Sequence, residues 1–428
     1  MAPTFRKILA WSLIVSTASV GFVVACGIDV VGTSSDGTPP TGLGEDGSNA
    51  VPSDGSVGPV TDADAGALDA EPDAETCPWP SLQRHAPWPM IGGCVGHPGR
   101  TVHRGPKKQP KIVWTVTVTT RESQPVVGAD GTVYLPADVS GVVAFAPDGG
   151  RRPFTDSGTG VANNVTNVPS IGVDGTLYFG AENDVVAAGV DGISWRFVTS
   201  GEIDTSTLVD EDGTVYSGSF NDTFYAISPD GGKRWQRNLN GDIWASAALG
   251  KGGAIYVGAT NKLSALARDG GRSWIFSTNG NIQSSPVVAD DGTIYIGTTG
   301  RRLHAINVDG GAKWTFIAKG NFGWQQLSAL GKDGTIYAPA GGYLTALDPL
   351  DGGTKWERAI GANLRTSAVV DADGNIYVGA DNRLLAFDAN GNELWHLDIN
   401  GNPSGFAIGR DGTIYVACDN DTLVALHE

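Results

Sequence analysis

The stretch Ser285–Phe316, SPVVADDGTIYIGTTGRRLHAINVDGGAKWTF, contains four short apolar runs with turn residues between them. The runs are rich in β-branched and aromatic side chains and show no helical period, so they read as four antiparallel strands joined by tight turns. The Asp291-Gly292 step predicts a two-residue hairpin, because Gly accepts a positive φ without a Cβ clash.

Working outward in both directions, the same unit recurs about every forty residues from Lys111 to the end of the sequence. The hairpin signal reads DGTVY at Asp130, DGTLY at Asp174, DGTVY at Asp212 and GGAIY at Gly252. It continues as DGTIY at Asp291 and Asp333, DGNIY at Asp373 and DGTIY at Asp411. Its tyrosines are 134, 178, 216, 256, 295, 337, 377 and 415. An alanine in a following apolar run recurs at 144, 187, 226, 265, 305, 346, 386 and 425. Tryptophan recurs at 114, 195, 235, 274, 314, 356 and 395, with Phe154 at the missing step. Each marker gives the same count, and repeated four-stranded units of this length predict an all-β, eight-bladed propeller of four-stranded antiparallel blades. Trp114 precedes the first complete unit, and Glu428 follows the third strand of the last. The N-terminal strand is therefore expected to complete the final blade and close the ring, removing open sheet edges. A tryptophan buried between blades would contribute roughly 1.5–3 kcal/mol, so the Trp series is read as structural.

The 61 glycines, without a collagen period, fit many tight turns. The formal charge of −17 is uneven: residues 27–76 carry eleven acidic side chains and no Lys or Arg, leaving 35 acidic against 27 basic in 77–428. No basic face is offered to nucleic acid, and nucleic-acid binding is not expected. Four segments follow: 1–25 an export signal, 26–76 a tether, 77–110 an irregular lead-in, and 111–428 the propeller. Residues 27–75 are too poor in apolar side chains to offset chain entropy and predict a disordered, self-repelling tether with a reach on the order of 40 Å.

Arg6 and Lys7 precede an apolar run from Ile8 to Ala25. Its end, Val23-Val24-Ala25-Cys26, resembles a bacterial lipobox, which implies acylation of Cys26 and cleavage before it; Val23 departs from the commoner Leu. Ordinary signal cleavage after Ala25 fits the same small residues, and a cysteine directly after the cut favours the lipoprotein. With Gly27 rather than Asp next, the expectation is a lipid anchor in the cell envelope, at the outer rather than the inner membrane, as the sole membrane contact. Cys77 and Cys94 are expected to pair in an oxidising compartment. Cys418, on a predicted strand with no His or second Cys at ligand spacing, reads as a buried thiol.

The units resemble pyrroloquinoline-quinone (PQQ)-like propeller repeats in their Ala strand, acidic-Gly turn and outer-strand Trp. Pro87–Gly93 and His97–Arg100 resemble the lead-in that often precedes such propellers, so the likeness covers about residues 87–428. That family includes quinoprotein dehydrogenases and non-catalytic propellers, among them the lipoprotein propeller of the β-barrel assembly machinery. The dehydrogenases resemble one another in a vicinal Cys-Cys pair, a calcium site, an Asp base and long insertions. This sequence has no Cys-Cys pair and few insertions, so neither PQQ nor calcium is expected. The turn starting at Asp371 lacks the Glu a calcium loop needs at its twelfth position, which is Asn382. His97 and His103 are expected to cap or pack in the lead-in. His304 alternates outward on its strand, and His396 and His427 have no nucleophile partner, so no catalytic set is assigned.

Three residues before the slot of Pro286, the units carry Glu122, Thr166, Asp204, Trp244, Gln283, Gln325, Arg365 and Pro403. Flanking positions stay small or apolar while this one takes every chemical type, in the loop leading into the innermost strand. It is expected to ring one mouth of the central channel, where a rigid scaffold presents recognition residues. Phe322 and Trp324, in the most divergent of these loops, are expected to be exposed anchors. Ordinary drift in a solvated loop is the alternative. The expected activity is a monomeric, non-catalytic binding or scaffold propeller that engages a protein or an envelope polymer at this mouth. A divergent quinoprotein or carbohydrate-active enzyme is the competing reading.

Overall fold

The computed structural model describes residues 77, 80 and 82–428, except 120–122, 138–140, 155–164, 166, 324–325 and 363. All of them lie within the compact unit Ala67–Glu428. The export signal, Cys26, the tether, Glu122, Thr166, Trp324 and Gln325 lie outside the described residues.

The described residues form eight antiparallel sheets of four strands. Seven sheets are built from consecutive strands. The eighth joins Lys111–Thr117 to Thr422–His427, Ile414–Cys418 and Pro403–Ile408. Lys111–Thr117 runs antiparallel to the C-terminal strand, with Lys111 opposite His427 and Thr117 opposite Thr422, so the first strand closes the ring. Blades are numbered 1 to 8 from Val126, the shared blade being blade 8.

The three sequence markers turn out to be one cross-strand row. In blade 5, Tyr295 on the second strand faces Ala305 on the third, and Ala305 faces Trp314 on the fourth. A methyl group in the middle lets the two rings meet above it, at a centroid separation of 5.6 Å. The row repeats as Tyr216-Ala226-Trp235 and Tyr377-Ala386-Trp395, and across the closure as Tyr415-Ala425-Trp114. A larger residue than alanine would push the rings apart and lose their edge and face contacts.

Each indole then reaches the next blade. Nε1 of Trp114, Trp195, Trp235, Trp274, Trp314 and Trp356 donates to the carbonyl of Pro147, Pro229, Arg268, Val308, Pro349 and Ala389 respectively, at 2.7–3.0 Å. That carbonyl belongs to the turn between the third and fourth strands of the following blade, and the indole lies against the turn glycine. In blade 6 this is Gly352, at φ +75°, where a Cβ would sit 2.6 Å from the Trp314 ring. Blade 8 has no such turn, because its outer strand comes from the N-terminus. Trp395 donates instead to Pro106 of the lead-in, at 2.9 Å.

Three expectations need correction. The Asp-Gly hairpins carry three-residue loops, not two: Ala289 N bonds Thr293 O and Gly292 N bonds Ala289 O, so a type I turn ends in a left-handed glycine. The Asp291 side chain accepts from Thr293 N at 2.9 Å and reinforces that turn. His304 does not face outward. It is buried, edge-on to Phe276 at 5.5 Å and 3.1 Å from Thr315 Oγ1, because the third strand of each blade has neighbours on both faces. Phe154 fills the missing step only in part: its ring lies against Tyr134 of its own blade at 5.4 Å, as the indoles lie against their tyrosines, but it has no N–H to donate to the next blade.

Candidate functional site: the two ends of the channel

The innermost strands neighbour one another about the axis and line a central channel. Each runs from a loop at one end to its Asp-Gly hairpin at the other, so the two ends differ chemically.

The hairpin end is filled by the lead-in. The last residue of an inner strand donates its N–H to a lead-in carbonyl in six blades: Val127 to Trp88, Ile171 to Pro89, Leu249 to Val95, Val288 to Gly96, Leu330 to Pro98 and Val370 to Gly99, at 2.8–2.9 Å. The acceptors follow in chain order as the blades follow in ring order, so residues 88–99 circle inside the ring and satisfy its inner edge. Trp88, Met90, Ile91 and His97 are buried there. Gly92 makes the tight turn possible: its φ is +66°, and a Cβ would lie 2.7 Å from the His97 backbone. His97 Nδ1 lies 3.1 Å from the Pro286 carbonyl, to which it donates, and burial pulls its pKa down to about 4. A disulfide joins Cys77 to Cys94, with Cα atoms 5.0 Å apart.

Sequence reasoning treated this segment as irregular and did not find the plug. The available signal was the crowding of Trp88, Met90 and Ile91 next to Gly92, Gly93, Gly96 and Gly99, a stretch both apolar and thin enough to enter a ring.

At the other end the variable position is chemically mixed, as its sequence implies, but not uniformly presented. Arg365 is exposed, and Trp244 and Gln283 are half-buried. Asp204 is only 6% exposed, and Pro403 is buried with its ring against Gly379. Phe322 is 2% exposed and is therefore no surface anchor. Its ring covers Gly297 as Ile203, Ile243 and Ile282 cover Gly180, Gly218 and Gly258 in other blades. The longer loop of blade 6 supplies the same core contact with a larger side chain.

The flanking positions, expected to be small or apolar, are in part buried and polar. One residue after the variable position, Asn167, Thr205, Ser284 and Thr366 extend the ladder to the second strand. Ser284 Oγ accepts from Gly297 N at 2.6 Å and donates to Gly297 O at 3.2 Å; Thr366 does the same with Gly379. The next residue links blades: Ser206, Ser246 and Ser285 Oγ accept the N–H of Val168, Ser206 and Ser246 in the preceding blade, at 2.9–3.0 Å. These hydroxyls hold the mouth loops to the rigid ring. Ser284→Ala should cost about 1–3 kcal/mol by orphaning the buried Gly297 amide. An unchanged denaturation midpoint would show that the clip carries no load.

Among the described residues no three His, Cys, Asp or Glu side chains gather as metal ligands. Cys418 is buried, and burial pushes its thiol up to about 11. His396 pairs with Glu393 at 2.6 Å, and His427 Nδ1 lies 3.1 Å from Thr413 Oγ1.

A family model described as outer membrane protein assembly factor BamB matches residues 185–315 and 221–428. Among solved structures, that of BamB from Moraxella catarrhalis superposes with a TM-score of 0.63 at 14% identity, covering 74% of this chain and 100% of the other. Quinohemoprotein alcohol dehydrogenase from Comamonas testosteroni gives 0.64 at 16% identity, covering 79% and 80%. A europium-containing methanol dehydrogenase gives 0.63 at 12%, covering 78% and 89%. At these identities the likeness shows the propeller fold alone. No curated protein matches the sequence.

Proposed function

The chain belongs to the family of the outer membrane protein assembly factor BamB, and from that premise we propose that it is a non-catalytic scaffold of the cell envelope. It binds a protein partner of outer membrane assembly at the channel mouth that bears Trp244, Gln283 and Arg365. The observation that supports this most directly is the asymmetry of the channel. The lead-in occupies the hairpin end, leaving the opposite mouth as the end where side chains of mixed chemistry stand on a braced ring. Acylation of Cys26 anchors the chain at the outer membrane in this reading, and neither PQQ nor calcium takes part.

A photo-crosslinker at Gln283, in the full chain in intact cells, tests the mouth. It should capture an envelope protein, and Trp244→Ala with Arg365→Glu should cut the yield about tenfold or more, the scale of one anchor residue. Thermal stability should stay unchanged, since neither side chain belongs to the core. Capture from the hairpin end alone, or a yield indifferent to the double substitution, would overturn the assignment. So would dye-linked oxidation of alcohols or sugars after reconstitution with PQQ and calcium.

A further inference from the structure

Seven of the eight seams between blades carry an indole dock, six onto the next blade and one, from Trp395, through Pro106. Among the described residues, the seam between blades 1 and 2 carries none. On the blade 1 side, Phe154 stands at the step of the tryptophan and packs inside its own blade. Among the described residues the blade 1 outer strand is Arg151–Arg152, where those of blades 2–7 have six or seven residues. The receiving turn in blade 2 is altered as well. Gly189 pairs with Gly192 across a two-residue loop, one or two residues shorter than the docking turns, and among the described residues a Cβ on Gly192 would meet nothing within 4 Å. Among the described residues no indole docks across this seam. The serine link is absent here, with Val168 in its place, as it also is where Leu327 and Gly405 take that place in blades 6 and 8.

The lead-in is bonded to both blades of this same seam. Val127 and Trp88 exchange backbone hydrogen bonds at 2.8 and 3.3 Å on blade 1. On blade 2, Ile171 N donates to Pro89 O at 2.9 Å and Ile171 O accepts from Gln83 N at 3.0 Å. Gln83 spans both blades, its Oε1 accepting from Ala129 N of blade 1 at 2.8 Å. Every one of these partners lies between Cys77 and Cys94. The lead-in residues bonded to blades 4, 5, 6 and 7, Val95, Gly96, Pro98 and Gly99, all lie beyond Cys94.

We propose that the seam between blades 1 and 2 is the opening point of the ring, and that the disulfide-closed loop Cys77–Cys94 is its clasp, standing in for the absent indole dock. Closing the loop removes the freedom that residues 82–89 would gain on letting go, so the clasp holds at the seam where, among the described residues, no indole docks. A dithiol undoes it by thiol–disulfide exchange: its thiolate attacks one sulfur, the Cys77–Cys94 bond breaks, both cysteines become thiols and the dithiol closes to its own disulfide.

Hydrogen exchange read by mass spectrometry tests this on the full chain, before and after dithiothreitol, and on Cys77→Ser/Cys94→Ser. The readout is the second strands, which the loop does not bond but whose blades form the seam. Val133–Ala137 and Leu177–Ala181 should exchange roughly tenfold faster without the disulfide, while Ile294–Gly297 and Ile336–Ala340 keep their rates. Trp274→Ala, which removes a dock elsewhere, should loosen the seam between blades 4 and 5 equally in oxidised and reduced protein. Uniform acceleration across all four strands, or none at blades 1 and 2, would overturn the proposal.

Discussion

Trp314→Ala should destabilise the folded chain by about 3–5 kcal/mol, the range for removing a large buried aromatic side chain. The indole is 9% exposed, packs 5.6 Å from Tyr295, and donates to the Pro349 carbonyl of the next blade at 3.0 Å. Alanine leaves a cavity at a seam and an unpaired carbonyl beside it. Gly352→Ala attacks the same dock from the other side, since φ is +75° and the added methyl would lie 2.6 Å from the ring. With the indole gone that methyl has room, so the double substitution should cost less than the sum of the single ones. Denaturant unfolding of the four proteins measures both effects. A cost for Trp314→Ala below about 1 kcal/mol, or strict additivity, would mean that the indole does not bear on the following blade.

Acidification should weaken the channel plug through His97. The ring is buried, its pKa is lowered from 6.5 to about 4, and the cause is desolvation of the charged form. Between those values the unfolded chain takes up a proton that the folded chain refuses. Stability from this site is therefore complete above pH 6.5 and is lost as pH falls towards 4, by about 3 kcal/mol in all. His304, also buried and lowered to about 4, acts in the same direction. The turn carboxylates behave differently. Asp130, Asp212, Asp291 and Asp333 are held below the ordinary 3.8 by hydrogen bonds from Thr and by Arg or Lys, so their contribution fades only at lower pH. His97→Leu should flatten the stability profile between pH 6.5 and 4 relative to the parent chain. An unchanged slope in urea denaturation across that window would remove His97 as its source.

How much could be read in advance follows from where each contact lies along the chain. Tyr295, Ala305 and Trp314 fall within one unit, and their spacing repeats eightfold, so the row they form announces itself as period. The ring closure was readable for a related reason: a unit lacking its outer strand at one end and a lone outer strand at the other have a single economical pairing. His97 and Pro286 are 189 residues apart, and no period connects them. The three-residue hairpin escaped notice because Asp-Gly serves both loop lengths, and only the partner of the Ala289 amide decides between them. Phe322 and Trp244 look alike as aromatic loop residues. Burial separates them, and burial depends on how many residues the loop spends before it meets the glycine of the second strand.

The sequence by itself determined the count of blades, the strands within each, the Tyr-Ala-Trp row and the strand that closes the ring. All of these follow from short-range spacing repeated often enough to be unmistakable. Only the tertiary structure decided which end of the channel the lead-in fills, which mouth residues reach solvent, and that, among the described residues, one seam of eight lacks its dock. Those depend on irregular backbone meeting distant edges, where hydrogen-bond geometry and the room beside a glycine select the partner and local residue type does not.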